Sequence, residues 1–439
     1  MFRSYLTAAG KQAAWNLGAL VVLTGLTQAA ALASLLVVTN SLGPAGFGVF
    51  AFALSLQSYL YILGTLGTAL VLFREGVRQP EHLDATSTAY QTVSLSGSLL
   101  VGALTACAAW LSPISSAEQA LITLVAAGNV GACLVLTPLF DVHHKQPLVA
   151  VVALVAEVAA LVVVLTLAST ATLGLAALGV LVAVKWWLMT VAQYVVYYRA
   201  VRPLRPILSR ERIARMLRSS LPLAVSTVVA GLPANAGVFF VRLLGGEADA
   251  GVFGFASYVA GAYLLFSNLA LRVLQPHIAG PYGLQGLFVR KLGLFAGAFF
   301  VLLYLVLFAA GAAVICFLLA PPYRSALGPL ALVLLAVVLL SVGNITGSYL
   351  VVLHQERSVL WGNGVAAGVY LAAVLVLTPF FSSLGTAAAA AVAAAAGTLW
   401  MLAAVQSHWP AARADTAATS GVRPSLAVTP IRAAEKNVL

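Results

Sequence analysis

The sequence predicts an all-α, polytopic membrane protein, with about twelve transmembrane helices in two six-helix pseudo-repeat halves around a central cavity. Composition, span length and the placement of positive charge carry that prediction. Of 439 residues, 62% are hydrophobic and only 8% are charged, and the mean hydropathy is +1.02. Water-soluble chains carry about a quarter Asp, Glu, Lys and Arg. Apolar stretches close to the ~20 residues that a ~30 Å hydrocarbon layer demands of a helix recur from end to end. The strands of a membrane barrel would alternate apolar and polar side chains, and runs such as 148–167 do not.

In order, the expected spans are 13–40, 49–73, 90–111, 118–140, 148–168, 172–198, 219–244, 252–272, 292–320, 327–353, 359–380 and 383–405. Before the first, Arg3 and Lys11 stand among Phe2, Tyr5, Leu6 and Trp15, an interfacial composition. The run from 16 to 38 is longer than a signal-peptide core and precedes no small-residue cleavage site, so it is expected to remain as a span. Cys107, Cys133 and Cys316 all fall inside spans without disulfide or metal-ligand spacing, and read as small buried apolar residues. The last span rests on the alanine-rich run 386–397, which favours helix but enters lipid only marginally. From about Ser407 the chain turns to Ala, Thr, Pro and Ser, the composition of a disordered end.

Basic side chains are retained on the side of the membrane where the chain is made. With the N-terminus in the cytoplasm, all but Lys185, Arg242 and Arg324 of the 23 lysines and arginines fall on that side. The connection after the seventh span carries Glu247 and Asp249 instead. The expected location is therefore the inner (plasma) membrane, with both termini cytoplasmic. The net charge of +11 is a topology signal first. Arginines between 199 and 218 could meet anionic headgroups, but they lack the aromatic interleaving of a nucleic-acid site. This segment divides the chain into an N-terminal half (1–198), a basic linker (199–218), a C-terminal half (219–405) and a tail (406–439).

The halves carry a faint repeat. Leu42-Gly43 and then Gly48-Val-Phe-Ala-Phe-Ala53 open the second span, while Leu244-Gly245 and then Gly251-Val-Phe-Gly-Phe-Ala256 open the eighth. One inserted residue reconciles the two offsets. An even number of spans per half makes the copies parallel, one of the recurring plans of secondary transporters, with a substrate site between the halves.

The segment Asn40-Ser-Leu-Gly-Pro-Ala-Gly-Phe-Gly-Val-Phe-Ala-Phe-Ala-Leu-Ser55 resembles the junction of the first two helices in polysaccharide flippases. These belong to the multidrug/oligosaccharidyl-lipid/polysaccharide exporter superfamily. Arg74-Glu75-Gly-Val-Arg78 is similar to their charged close to the second helix, and Leu274-Gln-Pro-His277 to the end of the eighth. Asn40 stands where relatives often carry arginine, and Arg242 occupies the corresponding place in the second half. The resemblance implies a substrate that is a lipid-linked, polyprenyl-diphosphate oligosaccharide, held in a cavity lined by spans one, two, seven and eight. It also implies other polysaccharide-assembly proteins as partners, beside the lipid bilayer, and no nucleic acid.

Candidate site residues follow from charge and polarity inside hydrocarbon, where a charge costs about 2.5–3.5 kcal/mol on insertion scales. Glu157 in the fifth span and Lys185 in the sixth reach similar depth in antiparallel helices and are expected to pair. The pair either locks two helices or lets Lys185 face the cavity and attract a diphosphate while Glu157 tunes it or exchanges a proton. Pro222 and the segment Gly231-Leu-Pro-Ala-Asn-Ala-Gly237 predict a break in the seventh span, because proline removes a donor and clashes one turn back. Asn235 lies at that break, which is either a packed kink or a hinge. Arg242 either snorkels to headgroups or lines the mouth of the cavity. Thr24 and Gln28, one turn apart, together with Asn40, Gln57 and Tyr258, supply hydroxyl, amide and aromatic groups suited to sugars. Each could equally be interhelical glue.

The six histidines (82, 143, 144, 277, 354 and 408) all map to the cytoplasmic side, so no midplane histidine relay is expected. The His143-His144 pair reads as solvated. No Gly-rich phosphate-cradling motif ending in Lys-Ser/Thr is present, and neither cofactor nor metal is expected. An enzyme is not expected. The alternatives are a cation-coupled multidrug exporter of the same superfamily and a membrane polysaccharide polymerase or acyltransferase. The first span lacks the carboxylate a cation site there would need, and the external loops are short for catalytic groups.

Overall fold

The computed structural model describes the backbone of residues 8–278, 286–352 and 355–419. The expected lead-in before residue 8 and the tail beyond 419 lie outside the described residues, as do the side chains of Asn268, His277, His354 and His408. Among the described residues, thirteen α-helices build the bundle: α1 (Ala8–Thr65), α2 (Thr68–Arg78), α3 (Leu83–Leu111), α4 (Ser116–Cys133), α5 (Thr137–Val142), α6 (Gln146–Ser169), α7 (Leu175–Ala200), α8 (Arg210–Asn235), α9 (Gly237–Gly245), α10 (Glu247–Ile278), α11 (Gly286–Phe317), α12 (Leu327–Val352) and α13 (Glu356–Thr419).

Nine helical stretches among the described residues are long and apolar enough to cross a bilayer, and two of them, Gly18–Thr65 and Arg357–Ser407, are long enough to cross twice. Each double-length helix breaks once, α1 at Gly43 (φ 68°) and α13 at Ser382 (φ 49°). The connections expected around 41–48 and 381–382 are thus sharp kinks rather than loops. Left-handed backbone costs glycine nothing, and Pro44, directly after Gly43, suits the first turn of the outgoing helix. With α2, α5 and α9 continuing the helices before them, twelve span-length units result, as expected. The chain is a multi-pass membrane protein. Beyond the expected last span, helix continues through 406–419, where Ala411, Ala412, Ala414, Ala417 and Ala418 favour it.

The burial pattern is inverted relative to a water-soluble protein. Leu99, Leu100, Leu104, Val155, Val158 and Val162 face outward, while Thr39, Ser94, Asn129, Gln193 and Ser341 are buried. In lipid every backbone polar group must be satisfied within the protein. Where α4 gives way to α5, the Gln193 Oε1 accepts from the Leu136 N–H at 2.8 Å and the Tyr90 hydroxyl donates to the Val135 carbonyl at 3.0 Å. Of the three cysteines expected to be buried, only Cys133 is; Cys107 and Cys316 are exposed on the bundle surface. Hydrocarbon around that surface is as apolar as the interior, so hydropathy does not distinguish the two positions.

The repeated segments meet. An ideal Cβ on Gly48 would lie 1.8 Å from the Glu247 carbonyl oxygen, and one on Gly251 would lie 2.0 Å from that of Pro44. Each glycine is thus walled by the carbonyl four residues before the other, the close backbone approach that small residues permit between membrane helices. The contact is reciprocal, as a pseudo-two-fold axis between the two glycines requires. Gly43 and Gly246 both turn with positive φ and are separated by the same 203 residues as Gly48 and Gly251. The register is therefore uniform from turn into helix, and Gly246, not Gly245, matches Gly43. No inserted residue is needed.

Candidate functional site

A cavity of about 390 Å³ lies between the segments 51–58 of α1, 233–238 at the α8–α9 junction and 253–264 of α10, with α12 and α13 behind. Its size is within the range of small-ligand sites. Gln28, Gln57, Asn235 and Tyr258 line it, as do Ser55, Ser58 and Ser257. Four of the nine candidate residues therefore come together here, and the described lining carries no charged side chain. The Gln57 amide nitrogen is buried without a hydrogen-bond partner among the described residues, leaving a donor for an occupant. A smaller, largely apolar cavity of about 170 Å³ between α1, α10 and α11 shares Gln28 and Tyr258 with the first.

The break in the seventh span falls at Ala236, between α8 and α9, three residues past Pro233. Its freed groups are met from both halves of the chain. The Ser55 hydroxyl on α1 donates to the Asn235 carbonyl at 2.6 Å, and the Asn235 side-chain amide donates to the Gly231 carbonyl at 3.2 Å. Asn235 thus faces the cavity while fixing the helix end that forms part of its wall.

Lys185 Nζ and Glu157 Oε2 pair at 3.2 Å, both half-buried, across α7 and α6. Neither lines the main cavity, but the Glu157 carboxylate lies within electrostatic reach of the Tyr258 hydroxyl that does. Thr24 is half-buried one turn before Gln28 and lines neither cavity. Asn40 is used elsewhere: its amide donates to the Leu318 carbonyl at 2.9 Å and its Oδ1 accepts from the Ala320 N–H at 3.2 Å. It ties α1 to the end of α11.

Arg242 does not snorkel. Its guanidinium, with a side chain only 14% exposed, pairs with Glu118 at the start of α4 and, at 3.3 Å, with Glu247. It also lies 4.4 Å from the centre of the Phe52 ring, which stacks on Phe239 at 5.9 Å. Glu118 is buried and was not among the expected residues; its only sequence signal is an acid in the first helical turn, where a helix N-terminus welcomes one. Together with the Gly48–Gly251 contact, this cluster shuts one end of the bundle, called here the Arg242 end. At the opposite, basic end, Gly67 packs on the backbone of α8 near Ala224, and His143 Nε2 shares a hydrogen bond with the Tyr197 hydroxyl at 3.0 Å. Tyr197 is buried, so His143 is packed against the bundle rather than free in solvent.

The sequence profile of the polysaccharide biosynthesis protein family matches residues 14–280. The chain belongs to that family. Residues 14–280 include the α1, α8–α9 and α10 walls of the cavity and both glycines of the repeat. Curated proteins provide no sequence match. Among solved structures, the fold resembles an inward-facing multidrug resistance MATE family transporter of the MOP superfamily (TM-score 0.62, 16% identity, covering 92% of this chain and 99% of that one). It also resembles the lipid II flippase MurJ in an inward closed conformation (TM-score 0.65, 11% identity, 91% of each chain). A MATE transporter from Vibrio cholerae is similar as well (TM-score 0.60, 15% identity, 90% of this chain and 98% of that one). These identities speak for a shared fold.

Proposed function

We propose that this chain is a flippase that carries a lipid-linked oligosaccharide, joined to its polyprenyl carrier by a diphosphate, across the plasma membrane by alternating access. The observation that carries the proposal is the cavity between the two repeated segments, lined by amides and hydroxyls without charge, in a member of a polysaccharide biosynthesis family. Uncharged donors and acceptors match sugar hydroxyls, and Tyr258 offers an aromatic edge to a sugar ring. Gln28, Gln57, Asn235 and Tyr258 would contact the glycan. The Glu157–Lys185 pair, near Tyr258, would answer the diphosphate. The two termini and the basic end face the cytoplasm in this reading, so the Arg242 end faces outward and must open to release the glycan. The halves, 1–198 and 219–405, would move against each other about the 199–218 connection.

The test is reconstitution into liposomes with a fluorescent polyprenyl-diphosphate oligosaccharide and a membrane-impermeant quencher that reports leaflet exposure. Protein-dependent movement between leaflets is the expected result. Failure to move any lipid-linked sugar, with efflux of a cationic dye instead, would overturn the proposal in favour of a drug exporter.

A further inference from the structure

Away from the central cavity, the connection between α7 and α8 forms a shelf at the basic end. Residues 201–209 are held against α3 at two points. Arg202 pairs with Asp84 at 2.8 Å, and the Ile207 N–H donates to the Thr88 hydroxyl at 3.1 Å. Between these anchors the shelf roofs a separate cavity of about 260 Å³, walled in part by Ser87, Gln91, Tyr194, Tyr198, Leu204 and Arg205.

Two properties of this cavity point to an occupant. First, its polar groups are unspent: the Gln91 amide, the Tyr194 and Tyr198 hydroxyls and the Arg205 guanidinium have no hydrogen-bond or ion-pair partner among the described residues. On the shelf itself, one Arg202 nitrogen is committed to Asp84 and the Ile207 N–H to Thr88, while the Arg202 Nε is buried without a partner among the described residues. Second, the surroundings are amphipathic. Carbon atoms make up most of the wall surface although most of its side chains end in a polar group, and Ile207 and Leu208 project from the shelf with 49% and 73% of their surface exposed. Exposed aliphatic side chains beside arginines, at the end of a membrane bundle, place the shelf where headgroups meet acyl chains. One guanidinium with two phenols and an amide around an apolar slot is complementary to a phosphodiester that carries alkyl chains.

We infer that this cavity binds the headgroup of an anionic glycerophospholipid, with Arg205 on the phosphate, Tyr194, Tyr198 and Gln91 on phosphate and glycerol oxygens, and the acyl chains along Leu204 and Leu208. The occupant bridges α3, α7 and the connection to α8. Occupancy therefore ties the shelf to the N-terminal half. The inference is independent of which substrate the central cavity carries.

The experiment is a titration of the detergent-purified full chain with phosphatidylglycerol, with phosphatidylcholine of the same acyl chains, and with glycerol 3-phosphate, read by native mass spectrometry. Phosphatidylglycerol is expected to bind about tenfold more tightly than phosphatidylcholine: both offer a phosphodiester to Arg205, but choline sets a second cation beside the guanidinium and has no hydroxyl for Tyr194, Tyr198 and Gln91. Arg205→Gln should remove that preference, and Tyr198→Phe, which keeps the ring, should reduce it. Arg212→Gln, an equal loss of charge on α8 outside the cavity, should leave it intact. A preference that survives Arg205→Gln, or that falls equally in Arg212→Gln, overturns the site in favour of diffuse electrostatics. Binding of glycerol 3-phosphate as tightly as the lipid overturns the lipid as its ligand.

Discussion

Replacing Gly48 and Gly251 with alanine attacks the seal of the Arg242 end at its narrowest point. The added Cβ atoms would fall 1.8 Å and 2.0 Å from carbonyl oxygens, whereas carbon–oxygen contacts between packed backbones settle near about 3.4 Å. The helices must therefore separate by about 1.5 Å, or the substitution must distort both. Overpacking of this kind costs about 1–3 kcal/mol, and 2 kcal/mol changes the ratio of shut to open molecules about thirtyfold. Neither glycine has a flexible side chain facing it that could move aside, so the cost falls on the shut state. Spin labels at Leu111→Cys and Phe317→Cys, both exposed at this end, would report the separation by pulsed dipolar spectroscopy in a background lacking the native cysteines. The double alanine variant should lengthen the principal distance, while Gly261→Ala, with open space around its Cβ position, should not. A distance distribution unchanged in a folded, monodisperse double variant would refute the reasoning.

Four further outcomes follow. Lys185→Met should stop lipid-sugar translocation while the protein stays inserted, as quencher and extraction assays would show; undiminished translocation would leave the Glu157–Lys185 pair a purely structural lock. Glu118→Gln and Arg242→Gln should each favour opening of the Arg242 end, and in a double-mutant cycle the same dipolar distances should show coupling of about 0.5–3 kcal/mol, as contacting residues do. Asn40→Leu removes two hydrogen bonds worth about 1 kcal/mol each, and should lower the melting temperature while translocation persists. For His143, burial first, then Arg202 and His144, push the imidazole below its ordinary value of 6.5. The unfolded chain thus takes up a proton that the folded one resists, so stability is full above pH 6.5 and falls as the pH drops through and below it. His143→Gln should flatten that part of a melting-temperature profile against pH.

Much of the fold was legible because hydropathy and charge sidedness are properties of single segments. The twelve units, the break near Pro233 and the pairing of Glu157 with Lys185 all follow from residues one or two helices apart. The kinks at Gly43 and Ser382 were hidden because a left-handed residue can turn a chain without polar loop residues to announce it. The Arg242–Glu118 pair was hidden for a different reason: its partners lie on α9 and α4, and no local pattern couples helices that far apart in the chain. Asn40 offers an amide suited to sugars or to joining helices, and its direction, toward α11, is set by packing that no local sequence pattern displays. That Gln28, Gln57, Asn235 and Tyr258 line one cavity accords with the scarcity of polar groups in hydrocarbon, which is what singles them out in the sequence.

The reciprocal glycine contact also bears on leakage. Seals made of side chains flicker as rotamers hop on the picosecond-to-nanosecond scale, and each hop can admit a water or an ion. Here backbone rests on backbone, so no rotamer change widens the gap. Parting it takes a collective displacement of whole helices, which belongs to the microsecond-to-millisecond range. The flippase proposed above would thus hold the membrane's ion gradients between turnovers, because the motion that would leak is the same slow motion that would transport.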